Sequence, residues 1–461
     1  MLRYFAATLA FAPMLLNAQL SDVTKKAVAE IVRTTLTATA TPAASVAIVK
    51  DGKVVFAEAF GNAKVNPDVA ATAGMRFKIA SNSKQLTAAA ILLLAEDRKL
   101  SLDDKVARFF PDLTRANEVT LRQLLSHTSG YSDYYPLDYV APWMAKDTTP
   151  AAILTRWAKI PLDFDPGTRW QYSNTNYVIA GQIIEKVSRQ SLLTFLKARI
   201  LDKLKMTSAI DVTESKWSPA DPTGYLHYAT GPARPALPEG NNWMWAAGEL
   251  AMTASDLALW NLSLIDGTIL KPASLKALST EVQLKGGTGT RYALGLDVST
   301  LANGHRRWAH GGGASGFVSR NITYPDDRMA ITVLTNCDAG PAAGIAQKIE
   351  DLLLAPAADP AAVSSLENAK KLYAALVDGR VEKELLDADL TAYFTPQAIA
   401  DFSASLKVLG APTSFTQTSR QDRGGMTHRA FTLRTALKTL RISAFITPDG
   451  RFSQFLISAV E

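Results

Sequence analysis

Cysteine is nearly missing from this chain. A single one, Cys337, stands in the apolar segment ITVLTNCD, so no internal disulfide can form. No cysteine follows the N-terminal segment to carry a lipid, and Cys337 reads as a small buried hydrophobe. Histidine is also scarce. The five present, His127, His227, His305, His310 and His428, include no pair at the spacing of a zinc motif such as HExxH, so neither a metal site nor a cofactor is expected. Charge of one sign does not cluster either: the formal net charge is +6 over 461 residues, with no run or arm of Lys and Arg of the kind that nucleic-acid binders carry. Beyond the N-terminus no uncharged apolar stretch reaches the roughly 18 residues of a membrane span. There is no internal repeat.

What is there is ordinary globular material, 47% hydrophobic and 20% charged residues. A length of 461 residues exceeds the roughly 250–300 at which a single core stops growing, so two folded units are expected. The opening MLRYFAATLAFAPMLLNAQLSDV has a basic Arg3, an apolar run to Leu16 and a small Ala18. That is the layout of a secretory signal peptide over 1–18, with mature protein from Gln19 and a periplasmic or secreted location; a buried N-terminal helix is the alternative.

ASVAIVKDGKVVFAEAFG holds two β-rich runs around Asp51-Gly52, a dipeptide suited to a tight hairpin. Helical patterns dominate from about Ser83 to Leu264, and strand character returns in RRWAH, GFVSRNITYP and RMAITVLTN before a helix in AGIAQKIEDLLL. The expected fold is therefore α/β: a sheet built from both ends of residues 19–355 and flanked by helices, with a helical subdomain between. APAADPAAVSS reads as a linker over 356–365. Beyond it, Leu366, Ala369, Leu372, Tyr373 and Leu376 share a helical face, a second helix spans PQAIADFSASLKVLG, and three strands follow, so 366–461 is expected to be a small α+β domain. DRGGM, at 422–426, reads as a turn between strands.

Chemistry concentrates in MRFKIASNSKQLTAAAILLLAED. If a helix starts near Ser83, Ser81 and Lys84 lie on one side of its first turn. Apolar surroundings lower a lysine pKa, and a neutral Lys84 could take the proton of Ser81 and make it a nucleophile. The pair is weak evidence alone, since a capping serine and a snorkelling lysine would look the same. Two further groups stand at similar edges. Tyr172 and Asn174, in PGTRWQYSNTNYVIAG, offer a proton-relaying phenol and an orienting amide. His310, Gly312 and Gly313, in RRWAHGGGASGF, follow a short β run, and the glycines let backbone amides approach a substrate oxyanion.

SxxK, YxN and HxG in that order resemble the serine β-lactamase and penicillin-binding protein superfamily, in the branch of class C enzymes, D-alanyl carboxypeptidases, D-aminopeptidases and esterases. LLSHTSG at 124–130, FDPGTRWQYSN and AAGELAMTASDL are similar to other hallmarks of that branch, and the likeness covers about residues 25–355. It implies Ser81 as acylated nucleophile, Lys84 as its base, Tyr172 as second proton-transfer group and Asn174 as orienting amide. It also implies a substrate-binding strand at His310, Gly312 and Gly313, with an oxyanion hole from the amides of Ser81 and Gly313 and no metal. The 366–461 segment resembles the cystatin-like domains appended to some of these hydrolases.

The third motif departs from the family's KTG. A histidine there, only partly protonated near neutral pH, offers a carboxylate less charge than a lysine. Lys205, in ILDKLKMTS, stands where the family has Gly. The leading reading is a serine hydrolase acting on small esters or D-amino-acid amides and peptides, with peptidoglycan as a source of such peptides. A penicillin-binding D-alanyl carboxypeptidase or weak β-lactamase is the alternative, and a non-catalytic binder of peptidoglycan fragments is the reading of another class. His127 is expected to brace its loop by hydrogen bonding.

Overall fold

A computed structural model describes residues 19–213, 217–354, 359 and 361–459. The leader expected at 1–18 lies outside the described residues, as does the first part of the expected linker except Asp359. The chain divides into two compact units, Met1–Leu354 and Ala355–Glu461.

The first unit is organised by a sheet of strands β1 (Ala43–Lys50), β2 (Lys53–Val65), β3 (Asp68–Ala70), β4 (Asp297–Thr300), β5 (Arg306–Ala314), β6 (Phe317–Tyr324) and β7 (Met329–Thr335). Their order is β3-β2-β1-β7-β6-β5-β4, antiparallel throughout. Both ends of the unit therefore meet at the β1–β7 pair, in register Val46 with Val333 and Ile48 with Ile331. These two strands are covered on both faces, which is why AASVAIVK and MAITVLT read as nearly continuous apolar runs rather than as an alternation. One face packs Val46, Ile48, Ile331 and Val333 against Val28 and Val32 of the Asp22–Thr39 helix and Ile345 and Ile349 of the Ala342–Leu353 helix. The other face, with Ala47, Val49, Ala330 and Leu334, joins a larger core built by the helices Ser83–Glu96, Asn174–Ser188 and Ala254–Asp266. The β1–β2 hairpin turns on Asp51 and Gly52, with φ of 47° and 82°.

The Ser83–Glu96 helix is buried on every side from Ser83 to Leu94. Its apolar sequence suits an interior helix, and Lys84 is the one charged side chain in that buried stretch. Gln85 accepts from the Trp260 indole at 2.9 Å, tying this helix to the Ala254–Asp266 helix. Lys205 is exposed and has φ of 58°, so its backbone takes the left-handed conformation that glycine adopts most readily.

In the second unit the helices Ala362–Val377, Ala388–Tyr393 and Pro396–Lys407 accompany a sheet in the order β8-β9-β10-β11, formed by Ser414–Arg423, Met426–Arg434, Thr439–Ile446 and Phe452–Ala459. The first helix starts at Ala362, so residues 362–365 are helical rather than linker. Its Ala369, Leu372, Tyr373 and Leu376 pack against Phe431, Ile442, Phe452 and Phe455. The β8 strand escaped the sequence reading because SFTQTSRQDR is polar and sits at the sheet edge, pairing with β9 alone. Gly424 and Gly425, at φ of 61° and 78°, make the β8–β9 turn expected at DRGGM.

Candidate active site

Ser81 sits in a single 3₁₀ turn, Ala80–Asn82, that leads directly into the Ser83–Glu96 helix. Ala80 enters the turn with φ of 48°, a conformation that costs a non-glycine residue energy and that the packing around it must enforce. Enforcement comes from β5 and β6. Ser319 of β6 donates its hydroxyl to the Ile79 carbonyl at 2.7 Å and accepts from the Asn82 amide at 2.8 Å. Gly312 of β5 lies so close that an added Cβ would meet the Ile79 oxygen at 2.3 Å and the Ser319 hydroxyl at 2.4 Å. Gly313, the next residue, has open space at the same point and faces the cleft.

Lys84 is completely buried, and its ammonium nitrogen has three oxygen neighbours: Ser81 Oγ at 3.0 Å, Asn174 Oδ1 at 2.7 Å and the Ala247 carbonyl at 2.7 Å. Burial lowers its pKa from 10.5 to about 7, against an opposing pull from the Asp133 carboxylate. The partners then fix the direction of the bonds. A neutral amine has two N–H donors and one lone pair, and both carbonyl-type oxygens can only accept. Neutral Lys84 therefore spends its donors on Asn174 and Ala247 and turns its lone pair to the Ser81 hydroxyl.

Tyr172 covers this pair, with the Lys84 nitrogen 4.9 Å from its ring centre. Its phenol interacts with Ser81, and burial holds its pKa above the usual tyrosine value, so it is a protonated phenol at neutral pH. Tyr172 itself is held by His127. The His127 carbonyl accepts the Gln171 N–H at 3.0 Å, its Nδ1 accepts the Ser173 N–H at 3.1 Å, and the imidazole and Tyr172 ring centres lie 4.3 Å apart. With Nδ1 accepting, the proton of this neutral, deeply buried ring is on Nε2, which has no hydrogen-bond partner among the described residues and sits among the rings of Tyr172, Tyr177 and Tyr292.

Asn174 begins the Asn174–Ser188 helix. Its backbone N–H donates to Asp133 at 2.9 Å, and its amide nitrogen reaches the two Asp133 oxygens at 3.1 and 3.3 Å. Close packing locks the helix in place: a Cβ at Gly181 would lie 2.5 Å from that of Ala246, next to the Ala247 carbonyl that Lys84 uses.

The structure brings Ser81, Lys84, Tyr172, Asn174, Gly312 and Gly313 together. It does not bring His310 into the cleft. That side chain is 4% exposed and is absent from the cavity lining, which corrects the expectation of a substrate-facing histidine. Its Nε2 pairs with the Tyr292 hydroxyl at 2.8 Å and its Nδ1 with the Gly311 carbonyl. Burial, with the nearby Lys84, drops its pKa to about 3, so it is neutral rather than partly charged. The carbonyl can only accept, hence Nδ1 carries the proton and the Tyr292 hydroxyl donates to Nε2.

The cleft above Ser81 has a volume of about 870 Å³. Its charged lining consists of Asp133, Asp138 and Asp338, with no lysine, arginine or histidine among the described lining residues. The aromatic loop after Gly130 divides its work. Tyr135 and Tyr139 face the cleft, whereas Tyr134 and Trp143 pack on Trp157 and Trp243. No cluster of three or more His, Cys, Asp or Glu arranged to hold a metal occurs among the described residues. Sequence reasoning passed over Asp133 and Tyr292. Asp133 lies within the loop TSGYSDYYPLDYV, but only the fold shows that it meets Asn174.

Comparison with known proteins gives a consistent picture. Penicillin-binding protein 4* of Bacillus subtilis (strain 168) is 29% identical over 303 residues, 62% of this chain and 66% of its own length. A D-aminopeptidase of Cereibacter sphaeroides is 30% identical over 308 residues, 65% of this chain and 57% of its own. The chain thus spans less than two thirds of the length of these relatives. Among solved structures, a D-stereospecific amidohydrolase from Streptomyces sp. superposes with a TM-score of 0.62 at 26% identity, covering 71% of this chain and 98% of that one. The octameric penicillin-binding protein homologue of Pyrococcus abyssi shares the fold over 96% of this chain and 97% of its own, with a TM-score of 0.65 at 22% identity. The beta-lactamase family model matches residues 28–355, which contain every residue of the site just described, and the chain belongs to that family.

Proposed function

We propose that the protein is a serine hydrolase that works through an acyl-serine intermediate on D-amino-acid amides, D-peptides or small esters. The observation that carries this reading is the fully buried Lys84, whose two accepting neighbours leave its lone pair for Ser81. In acylation Ser81 Oγ attacks the substrate carbonyl carbon while its proton passes to Lys84. The resulting ammonium has three donors for three oxygens, so the charged form is also fully bonded. The oxyanion is received by the amides of Ser81 and Gly313. Tyr172 hands a proton to the departing amine or alcohol as the carbon–heteroatom bond breaks and regains one from the Lys84 ammonium. Water then attacks the acyl-serine while the neutral Lys84 takes its proton, and that proton returns to Ser81 Oγ as the acyl–oxygen bond breaks.

Three observations bear on the substrate and on the competing readings. A cleft with three carboxylates and no cation among its described lining residues gives nothing to a free substrate carboxylate, which favours amides and esters over the carboxypeptidase or β-lactamase alternative. The names of the D-aminopeptidase and D-stereospecific amidohydrolase relatives support the D-amino-acid class. A buried lysine is costly to keep, and a non-catalytic binder has no use for one. We propose, from the leader expected at 1–18, that this chemistry takes place in the periplasm or outside the cell on peptidoglycan-derived peptides.

The test is hydrolysis of p-nitrophenyl acetate and butyrate and of D-amino-acid p-nitroanilides by the mature protein and by Ser81→Ala. Turnover by the parent, none by the variant, and an acyl adduct on Ser81 by mass spectrometry are expected. Equal rates in both proteins overturn the reading.

A further inference from the structure

We infer that Asp133 is a positioning residue for this chemistry, setting the orientation of the Asn174 amide and through it the direction of the Lys84 lone pair. The inference rests on the acyl-serine reading and deepens it.

An asparagine amide can be turned either way, and the two faces have opposite meaning for a lysine base. With Oδ1 toward Lys84 it accepts one of the amine's donors. With Nδ2 there it would donate to the lone pair and silence the base. Asp133 removes that ambiguity. Its carboxylate is an acceptor only, and it already receives the backbone N–H of Asn174 at 2.9 Å, so it sits at a fixed place at the start of the helix. The Asn174 amide nitrogen lies 3.1 and 3.3 Å from its two oxygens. The opposite face of the amide is then Oδ1, at 2.7 Å from Lys84. Tyr135 supports the carboxylate in turn, giving its backbone N–H at 3.2 Å.

Asp133 also acts through its charge. It favours the ammonium form of Lys84 and opposes the effect of burial. The other groups facing Lys84 are the Tyr172 and Tyr177 rings, with the imidazoles of His127 and His310 nearby. Both phenols are protonated and both imidazoles neutral at the working pH, which leaves Asp133 as the charged group within the site that steadies the protonated lysine formed in acylation. Tyr134 also faces Asp133, and its phenol stays protonated as well.

The experiment compares wild type, Ser81→Ala, Asp133→Asn and Asp133→Ala on one activated ester, reading kcat, KM and the pH profile of kcat/KM, with thermal unfolding as the fold control. Asp133→Asn keeps an acceptor for the Asn174 backbone but removes the charge, so the acidic limb of its profile moves to lower pH. Asp133→Ala frees the amide, and kcat falls by about 10-fold or more while KM changes less than about 3-fold, the pattern of a misplaced catalytic group. If Ser81→Ala is as active as wild type, the acyl-serine reading fails and this inference with it. If Ser81→Ala is inactive yet Asp133→Asn keeps the wild-type limb and kcat, the inference alone is overturned. A purely structural role would lower the unfolding temperature of both Asp133 variants and leave the limb of the folded fraction where it was, which also overturns it.

Discussion

The carbonyl of Ile79 and the α-carbon of Gly312 are packed so closely that a Cβ on Gly312 would fall 2.3 Å from the oxygen. This contact seats the turn carrying Ser81 against β5, and backbone cannot yield as a flexible side chain would. Gly312→Ala is therefore expected to destabilise the protein by about 1–3 kcal/mol, as overpacking does, and to displace Ser81 enough to reduce kcat strongly. Gly313→Ala meets open space and is expected to fold like the parent. Thermal unfolding and ester turnover of the two variants, side by side, check the contrast. Equal behaviour would mean that β5 does not set the serine.

His127 grips the segment around Tyr172 by two backbone hydrogen bonds and one ring contact. His127→Phe keeps a ring but leaves the buried Ser173 N–H without its acceptor, a loss of about 1–3 kcal/mol in stability. With the phenol no longer fixed, kcat is expected to drop by about 10-fold or more, since a positioned acid–base group supplies at least that much. KM should move little. Steady-state kinetics with an unfolding curve separate the two effects, and an unchanged kcat would show that Tyr172 is held by its other neighbours.

The order Ser81, Lys84, Tyr172, Asn174 was legible because each residue opens a helix or turn next to an apolar run, and spacing along one chain segment is what a sequence displays. The central strands were legible for the same reason, as long β-rich runs around Asp51-Gly52 and in RMAITVLTN. Asp133 was not, because its partner Asn174 lies 41 residues away and the contact exists only after the aromatic loop folds over the helix start. His310 was misread in its setting. Its motif position is visible, but a sequence does not show that the side chain turns under the strand to meet Tyr292, where burial strips its charge. The polar edge strand β8 carries no apolar period to detect.

Lys84 makes stability depend on pH with a definite sign. Its folded pKa is about 7 against 10.5 for the free side chain, so between those values the unfolded chain holds a proton that the folded one lacks. Unfolding free energy then rises with pH across that window, by at most about 1.4 kcal/mol per unit, and is flat in this respect below it, where both states are protonated. Lys84→Met removes the titration. The stability of the wild type relative to this variant is expected to climb between about pH 7 and about pH 10 in urea unfolding, and to be level below. A level difference throughout would mean that Lys84 titrates normally. The same neutral amine predicts that kcat/KM of the wild type rises through about pH 7.

Substrate charge is the sharpest test of the cleft. Asp338 lines it, and burial together with Glu239 raises its pKa to about 6, so above that pH it adds negative charge to a cleft that has no cation among its described lining residues. A D-amino-acid amide is expected to exceed the matching dipeptide with a free C-terminus by about 10-fold or more in kcat/KM at neutral pH, a discrimination of about 1.4 kcal/mol. Lowering the pH slows both substrates alike through Lys84, and their ratio cancels that shared loss. What remains is the charge of the cleft carboxylates: as pH falls through about 6 Asp338 takes a proton, and the ratio should shrink. Asp338→Asn should show the small ratio already at neutral pH. If the free-carboxylate peptide is preferred in the wild type, the cleft recognises that group by means other than charge, and the carboxypeptidase reading regains its place.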